Sequence, residues 1–396
     1  MIGINKNFAK LGGDYLFKEV AAKVGAFKQK NGDEGLISLG IGDVSLPLVR
    51  IVTDAFSSAV KGMGTKSGFH GYAPVGGYGF LRESICALYA ERGVNVSADE
   101  IFVSDGAKSD IANLIDLFGR CDVLLPSPVY PAYADANVLS GNVVDYLIAE
   151  EKEGFIPLPD GVEKKRYLIY LCSPNNPTGV VYSKKTLEKW VNFALETGSV
   201  IIFDGAYSEF ITGDEPRSVF EVEGAENCAI EINSFSKRAG FTGVRCGWAV
   251  VPKRLDVGGE SLNGLWVKRQ SIKFNGVGYP VQAAANAALS KDGRAQCGEQ
   301  IKYYLENADI LARSLVSCGL KVFGAKNAPY VWVRCPLGLS GWETFERLLY
   351  GAGLVCTPGE GFGEGGKGYI RLTAFGTRKD TLNASKRLET FFKNMR

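Results

Sequence analysis

Apolar residues recur along this chain in two rhythms. Between Glu100 and Val251 short, near-continuous apolar runs alternate with stretches of helical period. The runs are Ile101-Phe102-Val103, Val123-Leu124-Leu125, Val143 to Ile148, Tyr167 to Cys172, Val200-Ile201-Ile202-Phe203, Ala229 to Ile232 and Gly247 to Val251. The intervening helices are predicted at about Lys108 to Phe118, Tyr130 to Leu139 and Lys184 to Glu196. Strands that are apolar throughout must be covered on both faces. With helical crossovers between them, they predict a mostly parallel sheet sandwiched by helices.

The flanks read differently. An N-terminal arm leads to a helix from about Leu16 to Lys30 that closes near Gly32. A short strand, Leu36 to Leu39, opens into a turn at Gly40 to Asp43. Helices follow at about Val49 to Lys61 and Leu81 to Arg92, with a glycine- and aromatic-rich loop over 62–79 between them. That loop is long enough to suggest a task. In the last third, a long helix from about Gln296 to Cys318 stops at Gly319. Strands at Leu320 to Phe323, Tyr330 to Arg334 and Tyr369 to Leu372 and helices at Trp342 to Tyr350 and Lys379 to Lys393 complete a smaller α+β pattern. The expected division is therefore 1–45 as an arm plus part of the small domain, 46–280 as a large α/β domain, and 281–396 as the rest of the small domain.

Composition narrows the function classes. The chain has 396 residues, 46% hydrophobic and 22% charged, which suits large packed cores rather than disorder. Its 45 basic and 43 acidic residues leave a net charge of +2, with no electrostatic footprint for nucleic acid. The first residues lack the apolar core of a signal peptide, and no apolar run is long enough to span a bilayer. Nine scattered cysteines, none in a C-x-x-C pair, suit reduced thiols, and the expected location is cytoplasmic. His70 is the single histidine, which excludes a multi-histidine metal site; no metal is expected. Acid–base chemistry then falls to Lys, Asp, Glu or Tyr.

In an open α/β sheet, ligands bind beyond the carboxyl ends of the strands. Five strand ends here carry chemistry: Ser104 to Lys108 opening a helix, Pro126 to Tyr130, Ser173-Pro174-Asn175-Asn176-Pro177-Thr178-Gly179, Asp204 to Tyr207, and Ser234-Phe235-Ser236-Lys237. Each is open to a plain reading. Lys237 would serve as a solvated surface lysine, Asp204 as a turn residue, the Ser-Pro-Asn-Asn-Pro stretch as turn chemistry, and Tyr130 as core. Their convergence on one edge favours a site. With pyridoxal 5′-phosphate as ligand, every piece has a task. Lys237 bonds the cofactor aldehyde as an imine and moves the proton. Asp204 pairs with the ring nitrogen, Tyr207 and Asn176 hydrogen-bond the ring oxygen, and Tyr130 stacks on the ring. The helix opening at Ala107 and Lys108 offers N–H groups to the phosphate, completed by Ser234, Ser236 and Arg245. Gly361 to Gly366 matches G-x-G-x-x-G, but a strand follows it and no helix opens, so it is not a dinucleotide fingerprint. Arg371, amid apolar residues, is either a structural ion pair or a bidentate carboxylate partner.

Ser173 to Gly179, Asp204 to Tyr207 and Ser234 to Lys237 with Arg245 resemble the fold-type I, class I/II pyridoxal-phosphate aminotransferases. The likeness narrows with Asp14-Tyr15-Leu16-Phe17, Leu39-Gly40-Ile41-Gly42-Asp43-Val44, Ser104 to Lys108, Pro128 to Tyr133, Ala239 to Arg245, Lys273-Phe274-Asn275-Gly276 and Asn327 to Val333. These resemble the LL-diaminopimelate aminotransferases over nearly the whole chain. The resemblance implies a homodimer with active sites at the subunit interface, where Tyr72 and Asn275 reach the cofactor from the partner subunit. It implies that Arg371 binds the substrate α-carboxylate. Tyr15, Gly42 and Lys108 line the substrate side, with Lys108 suited to a distal carboxylate, and Tyr130, Asn176 and Asn275 also face the substrate. The implied reaction passes an amino group between LL-2,6-diaminopimelate and 2-oxoglutarate, giving tetrahydrodipicolinate and glutamate in lysine biosynthesis.

Two positions depart from the family pattern. After Gly71-Tyr72-Ala73-Pro74, Val75 stands where an acid helps recognise the distal ammonium. Ser127 replaces an aspartate before Pro128. Loss of a charged hydrogen bond of the first kind costs roughly 1.5–3 kcal/mol. Val75 therefore keeps open a paralogue acting on another amino acid, or a pyridoxal-phosphate cyclase or lyase of a specialised pathway. A non-catalytic interaction protein on the same fold is the remaining alternative.

Overall fold

The computed structural model describes residues 2–11 and 16–395. Its centre is a seven-stranded sheet: β1 (Ile101–Ser104), β2 (Asp122–Ser127), β3 (Val143–Ile148), β4 (Leu168–Cys172), β5 (Val200–Asp204), β6 (Ala229–Ser234) and β7 (Gly247–Val250). The spatial order is β1-β7-β6-β5-β4-β2-β3. β7 runs antiparallel to both of its neighbours, and the other pairs are parallel. Every residue of β4, β5 and β6 is buried, as their largely apolar runs predict. Helices cover both faces. One of them, α6 (Lys184–Thr197), starts where the Ser183 hydroxyl accepts from the Thr186 N–H and stops at Gly198, whose φ is +69°.

A second, four-stranded antiparallel sheet gathers Val322–Gly324, Tyr330–Arg334, Tyr369–Thr373 and Thr357–Pro358, in that order. It packs with α10 (Lys291–Ser317), α11 (Gly341–Ala352) and α12 (Arg378–Asn394). An early segment joins this core. Ile37–Ser38 pairs in parallel with Leu354–Val355, and Leu16, Val20 and Leu39 are buried in the same apolar cluster. The turn after Leu39 meets Lys237, at the end of the large sheet, through the Gly42 carbonyl.

Several elements differ from expectation. The helix predicted over Lys108 to Phe118 divides into α4 (Ala107–Asn113) and a 3-10 turn, Leu114–Leu117. The one predicted from Tyr130 begins at Ala132, as α5 (Ala132–Ser140), which leaves Tyr130 on the approach. α8 (Leu262–Lys273) and α9 (Tyr279–Leu289) were not predicted, and α10 starts at Lys291, ahead of Gln296. Among the described residues no helix is long and apolar enough to cross a membrane.

Candidate active site

Beyond the carboxyl edge of β4, β5 and β6 lies a cavity of about 420 Å³. Its walls include Lys237, Asp204, Tyr207, Asn176, Tyr130, Ala107, Lys108, Ser234, Ser236, Arg245, Gly42 and Arg371, so twelve sequence candidates meet in one place. Three do not. Tyr72 and Asn275 are exposed and do not line it. Tyr15 lies outside the described residues.

β6 ends at Ser234, whose side chain accepts from the Ser236 N–H at 3.1 Å and opens a single helical turn, α7 (Phe235–Arg238). That turn presents Lys237 half-buried, with Nζ donating to the Gly42 carbonyl and lying 4.9 Å from the centre of the Phe375 ring. Burial lowers the Lys237 pKa to about 8; Asp43 works against the shift, while Arg371 and Arg245 reinforce it. A neutral amine is the form that can act as nucleophile or base.

Asp204 closes β5 and is buried. Its Oδ2 accepts from the Tyr133 hydroxyl at 2.7 Å and its Oδ1 from the Ala206 N–H at 2.9 Å. Burial raises its pKa, partly offset by these two donors. Tyr207 shares a hydrogen bond with the Tyr330 hydroxyl, and burial holds its phenol well above the ordinary range. Arg371, on the small sheet, donates to Asn176 Oδ1 at 2.7 Å and to the Gly40 carbonyl at 2.8 Å. Its guanidinium stacks 4.7 Å from the centre of the Tyr330 ring. Its partners here include an amide, a carbonyl and a ring.

Two glycines permit a close approach beside Arg245. Gly106, at φ +134°, precedes α4, and a Cβ there would stand 2.5 Å from Arg245 Nη2. A Cβ on Gly247 would stand 2.9 Å from the Gly106 Cα. Without side chains, the start of α4 and the Arg245 guanidinium come together. Arg245 is itself at φ +68° and holds the Ser236 hydroxyl at 3.3 Å from Nη1. Lys108 Nζ sits 5.9 Å from the Tyr130 ring centre, across the mouth.

The structure adds residues that sequence reasoning missed. Tyr133 orients Asp204, Tyr330 contacts both Tyr207 and Arg371, and Phe17, Ile41, Asp43 and Thr242 complete the walls. Asp43 was signalled by its place directly after Gly42. Tyr133 carried no signal of its own in the sequence. The glycine-rich 359–366 stretch has a packing role: the Gly365 N–H donates to Ser127 Oγ at 3.0 Å, and the Phe362 carbonyl accepts from Val129 N–H at 2.9 Å.

Comparison with known proteins identifies the family. The family model for aminotransferases of class I and II matches residues 34–388. An LL-diaminopimelate aminotransferase of Agathobacter rectalis is 47% identical, aligned over 98% of this chain and all of its own. That of Lachnospira eligens is 46% identical, with the same coverage. Among solved structures, the L,L-diaminopimelate aminotransferase of Chlamydomonas reinhardtii superposes with a TM-score of 0.93 at 38% identity, covering 98% of both chains.

Proposed function

The chain belongs to the aminotransferases of class I and II, and from that premise we propose that it uses pyridoxal 5′-phosphate to transaminate LL-diaminopimelate with 2-oxoglutarate. The observation that carries the cofactor is one cavity holding a lysine of depressed pKa, a buried aspartate and an arginine-lined anion cradle. The residues fit the group. The Gly106–Arg245 approach leaves backbone and guanidinium donors where side chains would otherwise crowd a phosphate. Bound there, the cofactor supplies an electron sink for the carbanion that forms when the substrate α-proton leaves.

This chain's residues do the rest. Lys237 takes the proton from the substrate α-carbon and returns it on the cofactor side; its lowered pKa makes it a base near neutral pH. Asp204 holds a proton at the ring nitrogen, with Tyr133 fixing the carboxylate. Tyr207 and Asn176 donate to the ring oxygen. Ala107, Ser234, Ser236 and Arg245 hold the phosphate, and Tyr130 covers the ring. Arg371 receives the α-carboxylate with its planar fork. Gly42 and Lys108 line the substrate side, with Lys108 suited to a distal carboxylate.

Tyr72 and Asn275, exposed here, act in the pocket of a second copy, so the working unit is a homodimer with shared sites. Residues 46–280 form the cofactor domain, and 1–45 with 281–396 form the small one. The enzyme works in the cytoplasm.

The test is to load the protein with cofactor and follow its visible band on adding LL-diaminopimelate or, separately, glutamate. Conversion by both supports the proposal. Conversion by glutamate alone removes the named substrate and favours the second reading, another amino acid, for which Val75 is the specific observation. Conversion by neither, in a protein that holds cofactor on Lys237, points to a cyclase or lyase. Product analysis with and without a 2-oxo acid separates these.

A further inference from the structure

Lys237 and Arg238 are consecutive in α7, yet their side chains enter different cavities. The second cavity, of about 260 Å³, is lined by Arg238, Glu209, Arg294, Cys297 and Lys302 among others. We propose that it binds a small oxyanion of the phosphate type.

The argument rests on charge and hydrogen-bonding capacity. Arg238 is 6% exposed, so almost nothing of its guanidinium reaches bulk water. Its Nη2 is ion-paired with Glu209 Oε1 at 2.8 Å, but Arg92 Nη2 claims the same oxygen at 2.6 Å. Two guanidinium groups therefore share one carboxylate oxygen. Arg238 Nη1 makes no hydrogen bond among the described residues, and the Trp248 ring lies 5.4 Å from Cζ. A buried donor left unmade carries a penalty that a ligand oxygen removes.

The other wall adds positive charge. Arg294 is paired with Glu91 at 2.5 Å. Lys302 is exposed beside Gly298, where the cavity opens, and makes no ion pair among the described residues. Arg238, Arg294 and Lys302 thus line the cavity with one carboxylate, Glu209, which Arg92 also holds, while Glu91 pairs with Arg294. The thiol of Cys297 is buried and pushed up to about 11, so it adds no negative charge. Glu231, near Arg92, already has four donors of its own. A tetrahedral oxyanion has enough acceptors for Arg238, Arg294 and Lys302 together, and a forked guanidinium suits it. The cavity has room for far more than one water.

Inorganic phosphate is the probe. It is titrated calorimetrically, at constant ionic strength, into protein already loaded with pyridoxal phosphate, so that the Arg245 cradle is filled. Saturable binding near one per chain is expected, weakened at least tenfold by Lys302→Glu and by Arg294→Ala. Arg238→Met should abolish it, but that change removes a buried partner of Glu209; the two rim variants keep the test decisive if it fails to fold. The proposal is overturned by the absence of saturable binding, by binding that both rim variants leave intact, or by phosphate that only displaces the cofactor. The wild-type and Lys302→Glu proteins are compared whether or not cofactor loads, so failure of the cofactor reading and failure of this one are distinguishable.

Discussion

Lys237 owes its chemistry to its surroundings. Burial moves its pKa down from 10.5 to about 8, and Asp43 opposes that shift. In the cofactor-free protein, labelling of this amine should titrate with a midpoint near 8. Asp43→Asn removes the opposing charge, so the midpoint falls further; an unchanged or higher midpoint would show that Asp43 does not act on Lys237. The sign for stability follows. A lysine whose folded pKa lies below its unfolded value costs stability fully below about 8, and the cost disappears as pH rises toward 10.5. Tyr133 is a second residue-scale case. Tyr133→Phe takes the 2.7 Å donor from Asp204 and leaves that carboxyl harder to ionise. Loss of about 1 kcal/mol, or roughly a fivefold rise in the cofactor Kd, is expected in a spectroscopic titration with pyridoxal phosphate. At this scale, residues at strand ends were legible in the sequence because strand direction brings them to one edge. Tyr133 and Tyr330 were not, because their tasks come from contacts far apart in sequence.

The elements divide in the same way. β4, β5 and β6 were legible as apolar runs because both faces are buried. The antiparallel sense of β7 was not, since alternation carries no direction. α9 was missed because its buried residues are mostly Ala284, Ala285 and Ala288, beside Gln282 and Leu289, and the small side chains give little contrast with their neighbours. The first turn of α10 is polar, and its start is marked instead by Ser290 accepting from the Gly293 N–H at 3.1 Å. β6 hides a polar exception inside its apolar run. Glu231 is fully buried, and its two oxygens accept from Tyr89, Asn233, Ser218 and the Val219 N–H. Burial pushes it up to about 7 against those donors. Glu231→Gln keeps only one acceptor oxygen and turns an amide toward Ser218 and Val219 or toward Tyr89 and Asn233. A loss of about 1–3 kcal/mol in urea unfolding is expected; a change within error would mean that the network rearranges freely.

For the whole molecule, the outstanding feature is a face the single chain leaves uncovered. Phe69, Tyr72 and Ile272 are 67%, 85% and 71% exposed. They lie around one join. The His70 ring stacks 3.6 Å from that of Tyr279, and a Cβ on Gly276 would stand 2.8 Å from the Ala73 Cβ. The 62–79 loop therefore rests on the α8–α9 connection that carries Asn275. Exposed apolar groups gathered in this way suit the proposed subunit interface. The proposed homodimer covers them and delivers Tyr72 and Asn275 to a second pocket. Light scattering after size exclusion should give a dimer at micromolar concentration. Ile272→Asp places an unpaired carboxylate in that interface, which is costly to bury. Its dimer should dissociate at least tenfold more readily, and its transaminase activity should fall on dilution while wild-type activity holds. Because Ile272 itself lines no wall of the cavity, restoring activity by concentrating the variant would assign the loss to assembly. A wild-type monomer with full activity would remove the shared site, and would leave Tyr72 and Asn275 with no part in the chemistry.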